Sequence, residues 1–266
     1  NLFLKDMRRN SPGLMLWMMV IVILTIVTMS VYPVFLENQS KILGMMSLVP
    51  KGALQFKGIS NFDDLLSVMG FYSTNNVLYM MLLGSIFSIV LASNILLKEE
   101  YSKTAEYLLT RPLTRGEVFL SKLAVIFIQI LILNITAALA GFICMKLVQT
   151  EAFSIKAFMI LSLYTLMLNL LFASIGLCMS TIVKRARPIT TFSIGLVLIM
   201  YFIYTVSKIT AGASKLGYLS PFRYVNMEAF SPEYKISPLH LIYFTGFSLL
   251  LLIISFRIYA RKDIYT

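Results

Sequence analysis

Apolar residues along this chain come in long unbroken runs, neither alternating as in half-buried strands nor striped as in soluble amphipathic helices. Six runs stand out, at about 12–36, 72–97, 118–148, 157–183, 188–207 and 238–259. Runs of roughly 18 or more apolar residues, at about 1.5 Å of rise each, cross a hydrocarbon layer of about 30 Å. Backbone N–H and C=O groups find no water there, so the runs are predicted to be helices. A closed barrel would instead show alternating segments of about ten residues. Ser11 before Pro12, and Ser237 before Pro238, read as a cap followed by a proline at the first helical position, which needs no amide donor. Lys146 is expected to snorkel at the end of the third run. The predicted fold class is an all-α integral membrane protein with six transmembrane helices.

Composition agrees. The chain has 266 residues, 58% hydrophobic and 13% charged, with a mean hydropathy of +0.83, outside the soluble range. The first run is too long for a cleaved signal peptide, and Glu37 follows it without a small-residue cleavage pattern, so it is expected to remain. Because the chain opens on Asn1 and not on an initiator methionine, a few residues are expected before it.

Six spans put both termini on one side, and basic residues choose the side. Fourteen of the 23 Lys and Arg lie at the termini, between runs 2 and 3, or between runs 4 and 5, crowded against helix ends. The other nine are spread over the opposite loops. Both termini are therefore expected to be cytoplasmic. The net charge of +11 suits anionic lipid headgroups and calls for no nucleic-acid partner. In the opening decapeptide, Leu2, Phe3 and Met7 stand beside Lys5, Arg8 and Arg9, a pattern that predicts a short helix lying in the interface ahead of the first span.

Candidate chemistry is sparse. Cys144 and Cys178 fall singly inside runs, without metal-ligand spacing, and the lone His240 opens the last run; all three read as packing residues, with no metal site. Within the boundaries above, the runs contain no Asp or Glu. Secondary transporters and proton pumps usually need such a residue to carry an ion or relay a proton. Nor is there a GxxxxGK[ST] loop to hold a nucleotide, so any engine must be another chain.

One polar stretch on the predicted cytoplasmic side carries defined helix starts and stops: EEYSKTAEYLLTRPLTRGEVFLSK, residues 99–122. Tyr101, Ala105 and Leu108 share a face at i, i+4, i+7, predicting a short helix over 99–110 that Pro112 stops. Thr114 and Glu117 then form a capping box that starts the third span. A solvated loop with no task is the alternative, but such a loop needs no defined starts and stops.

The residues Glu99, Glu100, the run Lys103-Thr104-Ala105-Glu106-Tyr107-Leu108-Leu109, then Arg111-Pro112-Leu113-Thr114-Arg115 and Lys122 resemble the cytoplasmic signature of type-2 ATP-binding-cassette (ABC) permeases, approximately E-x-x-x-[GK]-T-x-E-x-L-L-x-x-P-[VIL]-[ST]-R followed by a lysine. Lys103 stands where many members have Gly, which looks like a Gram-positive variant. Leu219-Ser220-Pro221-Phe222-Arg223-Tyr224 before the last span, and the basic stretch Tyr259-Ala260-Arg261-Lys262-Asp263-Ile264, are similar to segments of the same family. The resemblance covers residues 1–266 as one ABC type-2 transmembrane domain. It implies a bacterial plasma-membrane transporter of two such permease subunits, identical or related, each docked on a cytoplasmic ABC ATPase. ATP and Mg are expected in that partner, with no cofactor in this chain. The insert would be the coupling helix, contacting the ATPase through Glu99, Glu100, Lys103, Glu106, Arg111 and Arg115.

The resemblance also implies re-entrant or interfacial helices between the last two spans, where Tyr218, Phe222, Tyr224, Phe230 and Tyr234 suit a headgroup zone; a plain external loop is the alternative. Asn94, Gln129, Asn134 and Asn169, polar groups inside spans, either line a substrate path or hydrogen-bond between helices. Apolar walls with scattered amides predict a hydrophobic or amphipathic cargo, such as a peptide, drug or lipid-like molecule, in an exporter. A lipid-modifying enzyme would need clustered carboxylates or a histidine, and Asp63 and Asp64 have no partner motif. A non-transporting immunity or scaffold protein is the third reading.

Overall fold

The computed structural model describes residues 2–46, 63–96, 114–148, 152–183, 186–227 and 234–261. Its helices are α1 (Leu2–Glu37), α2 (Gln39–Met46), α3 (Val68–Ile95), α4 (Arg115–Val148), α5 (Ile155–Ile182), α6 (Ala186–Ile209) and α7 (Pro238–Arg261), and no strand occurs among the described residues. All but α2 carry stretches long and apolar enough to cross a membrane, matching the six predicted runs.

Local chemistry sets the starts. Ser67 Oγ accepts the Gly70 N–H at 3.0 Å, so α3 begins four residues before its apolar run. Ser154 caps α5 by accepting the Ala157 N–H at 3.3 Å. The predicted box at α4 is formed: the Thr114 N–H donates to Glu117 Oε2 at 2.7 Å and the Glu117 N–H to Thr114 Oγ1 at 3.3 Å. Pro238 opens α7 as predicted.

The start of α1 corrects the sequence reading. No separate interfacial helix precedes the first span, and Ser11 does not cap it; one helix runs from Leu2 through Pro12 and Pro33 to Glu37. An internal proline leaves the carbonyl four residues back without its usual donor. At Pro12 that carbonyl belongs to Arg8, and Ser11 Oγ donates to it at 2.9 Å, so the helix passes through.

Helices α3 and α5 form the centre: 61% of the apolar window of each is buried, against 11% for α7. A Cβ added to Gly84 of α3 would stand 2.6 Å from the Asn169 amide of α5, so the bare backbone there lets the two helices close up. Helix α1 lies along α4, α7 along α5, and α6 against α3. Outward faces expose Met19 and Ile23 of α1, Phe202 of α6 and Ile253 of α7, as befits a chain whose solvent is lipid.

Two stretches of α3, Ser73–Val77 and Met80–Gly84, widen to π-helix. In the first, Ser73 and Thr74 hydroxyls donate to the Gly70 carbonyl at 3.0 and 2.7 Å, and the Asn75 amide to Phe71 O at 3.0 Å. Side chains thus take carbonyls that backbone amides of a regular α-helix would use.

Between α6 and α7 the chain forms 3₁₀ turns, Ala211–Leu219 and Pro221–Tyr224, not a plain loop. Phe222 is fully buried against Phe172 and Tyr201, with centroids 5.2 and 5.4 Å apart, so it belongs to the protein core and not to a headgroup zone. Tyr224 stacks on Tyr243 of α7 at 3.9 Å, and Tyr218 is exposed beneath the Arg223 guanidinium. Tyr234 donates to Asn226 O at 2.6 Å; burial, with Tyr164 nearby, pushes its phenol up and keeps it a donor. Phe230 lies outside the described residues. Lys146 is exposed at the end of α4, its ammonium 5.8 Å from the Phe142 ring centroid.

Candidate functional site

The helix centre holds two of the four amides that the sequence singled out. Asn134 of α4 and Asn169 of α5 meet there: Asn169 Nδ2 donates to Asn134 Oδ1 at 3.3 Å, and Ser85 Oγ of α3 donates to Asn169 Oδ1 at 3.4 Å. Asn134 Nδ2 donates back to Ile130 O at 2.9 Å. The group ties three helices together. Asn94 makes a second tie, donating from Nδ2 to Thr190 Oγ1 of α6 at 3.0 Å and to Val90 O at 2.8 Å. Gln129 stands apart, its Nε2 4.0 Å from the Met7 sulfur and its Oε1 buried without a hydrogen bond.

Two features escaped the sequence reading. Asn76, in the first π-stretch, is 4% exposed, and neither its Nδ2 nor its Oδ1 has a hydrogen-bond partner. Its position inside the second run was the available signal. The second is an ion pair. Lys122 Nζ of α4 lies 2.6 Å from Asp6 Oδ2 of α1, and both side chains are fully buried. Arg9 approaches the other Asp6 oxygen at 3.0 Å. The runs as bounded by sequence are free of acid, yet the helix that carries the first of them buries one, because α1 continues to Leu2.

Of the insert residues, Glu99, Glu100, Lys103, Glu106 and Arg111, with the predicted 99–110 helix and its Pro112 stop, lie outside the described residues. Arg115 is exposed at the first position of α4, where its guanidinium donates to Ala260 O at 3.4 Å. The exit from the insert therefore rests on the end of α7, where Phe119 also meets Phe256 and Tyr259.

An apolar cleft of about 520 Å³ opens between α4, α5 and α7, with Leu123, Phe127, Leu170, Leu177, Phe244 and Leu249 in its walls. Two of its hydroxyls are already engaged: Ser174 donates to Leu170 O at 2.9 Å and Thr245 to Leu241 O at 2.7 Å. No group of three metal-ligating side chains occurs among the described residues. His240 packs edge-on against Tyr164 and Tyr224, and Cys144 and Cys178 are free thiols, half-buried.

No curated protein sequence gave a significant match. The family model for ABC-2 family transporter proteins matches residues 1–264, almost the whole length of a chain with six helices apolar enough to span a membrane. The protein belongs to the ABC-2 transporter family, and is a multi-pass membrane permease of an ABC transport system.

Proposed function

We propose that the chain is the membrane half of an ATP-driven exporter of hydrophobic or amphipathic molecules, powered by a separate cytoplasmic ATPase that binds ATP and Mg. Membership of the ABC-2 family carries the reading. The insert sequence 99–115 supplies the coupling element, with Glu99, Glu100, Lys103, Glu106, Arg111 and Arg115 facing the ATPase. Charges at such a transient interface chiefly set register and partner choice. The capped start of α4 supports this, since a helix that begins as soon as the insert ends receives any displacement of it as a rigid lever. Two permease subunits, identical or related, share the transporter. Both termini face the cytoplasm of a bacterial cell, consistent with the basic residues crowded at that side.

The cargo class rests on the same chemistry. The cleft offers apolar walls and engaged hydroxyls, which give a greasy molecule contact area and a hydrated ion nothing to replace its water. The central amides bond chiefly to one another, to hydroxyls and to their own helices, which favours helix packing over a substrate path for Asn94, Asn134 and Asn169.

The test is copurification of the ATPase followed by reconstitution of both subunits in vesicles. ATP-dependent movement of a fluorescent amphipathic dye, with no ATP turnover by the permease alone, is expected. ATP turnover by the isolated chain, or a saturable metal-ion flux through the pair, would overturn it.

A further inference from the structure

The Asp6–Lys122 pair is placed where α1 and the start of α4 meet. Lys122 stands seven residues after Arg115, two turns or roughly 10 Å beyond the point where the insert ends. Asp6 lies in the second turn of α1, and Arg9 flanks it with 30% of its side chain exposed. Further along the two helices, Leu14 and Ile21 on α1 and Val125, Ile126 and Ile130 on α4 belong to one buried cluster.

Such a pair is a poor stability device. Taking two charges out of water costs about as much as their attraction returns, and apolar replacements of both partners are often neutral or stabilising. Removing one partner is different, because it strands the other charge. A buried pair is directional, however, and fixes one register between two helices that apolar contacts alone would let slide.

We propose that Asp6 and Lys122 are positioning residues that clasp α1 to the entrance of α4, so that a displacement of the insert carries α1 along. The proposal rests on the ATP-driven reading above and extends it by naming where motion leaves α4. Helix α4 is held at its start by its capping box and by Arg115 against α7, and two turns on it is pinned to α1 by charge. Only seven of the 36 residues of α1 are buried, and the clasp gives it a specific grip near the insert.

The experiment uses the permease in complex with its copurified ATPase, in a cysteine-free background, with nitroxide labels on Ser30→Cys of α1 and Ile242→Cys of α7. Both sites are exposed. Distance distributions are recorded without nucleotide and with Mg-ATP plus vanadate. The parental complex is expected to show a nucleotide-dependent shift. In the double variant Asp6→Leu/Lys122→Met, assembly with the ATPase and thermal stability should be kept while the shift falls to half or less. The conservative pair Asp6→Glu/Lys122→Arg, which keeps both charges and leaves Arg9 its carboxylate, should retain it. A double variant that keeps the parental shift overturns the clasp alone. So does a double variant as unstable as Lys122→Met by itself, since the pair is then a structural prop. A parental complex with no nucleotide response overturns the ATP-driven reading, and the clasp with it.

Discussion

Gly176 of α5 faces the backbone of α3 so closely that a Cβ built on it would stand 2.5 Å from the carbonyl oxygen of Ile89. Lipid offers no hydrophobic drive between helices, so close backbone packing must hold the two central helices together. Gly176→Ala puts a methyl group against a backbone atom that cannot rotate away. A loss of about 1–3 kcal/mol is expected, read as a lower thermal midpoint in detergent. Gly195→Ala, where nothing lies within 4 Å of the added atom, is the control and should change little.

The contact between Asn169 and Asn134 predicts coupling between them. In a double-mutant cycle with Asn134→Leu and Asn169→Leu, an interaction of about 0.6 kcal/mol is expected, the average for hydrogen bonds between membrane helices. The Asn169→Leu variant also loses the acceptor of Ser85. Strictly additive unfolding free energies would mean that the amides do not act together.

Asn76 carries a donor and an acceptor that are both buried without partners, a cost of about 1–3 kcal/mol for such a group. Replacing the amide by a similarly sized apolar group, Asn76→Leu, should therefore raise the thermal midpoint. Transport of an amphipathic dye should fall in the same variant, because π-stretches such as the one holding Asn76 frequently mark functional sites. A variant that is both less stable and fully active would contradict both halves.

Reversing Glu106 to Lys should lower ATP-driven transport much more than it lowers expression or insertion. A solvated surface change usually alters stability by about 0.5 kcal/mol or less, whereas like charges set against a partner cost several kcal/mol of pairing. Lys41→Glu, at an exposed position of α2, is the charge control. Normal copurification with the ATPase and parental transport in the Glu106 variant would make the insert's charges a solvated face.

Orientation predicts a labelling pattern. In a cysteine-free version, single cysteines at Ser60 and Ser214 should react with an impermeant thiol reagent on intact cells, and one at Ser102 should not. Ser214 is exposed in the 3₁₀ stretch after α6, and its carbonyl accepts from the Arg223 guanidinium at 2.6 Å. The reverse pattern would place the termini outside.

Much of this molecule is legible in one dimension because lipid imposes a simple condition: every backbone polar group must be satisfied within its own helix. Length and apolarity alone therefore located the six spanning helices, and the capping box at Thr114 and Glu117 is local enough to be read from four residues. The insert motif likewise pointed to the family that the whole-chain match shows. Tertiary structure decided what depends on neighbours far apart in sequence. Which amides face each other, Asn134 with Asn169 and Asn94 with Thr190, follows from the rotation of each helix about its axis, and a uniformly apolar run does not encode that rotation. Asp6, outside every predicted span, and Lys122, four residues into the third, lie 116 positions apart; only the parallel placement of α1 and α4 made them one buried pair.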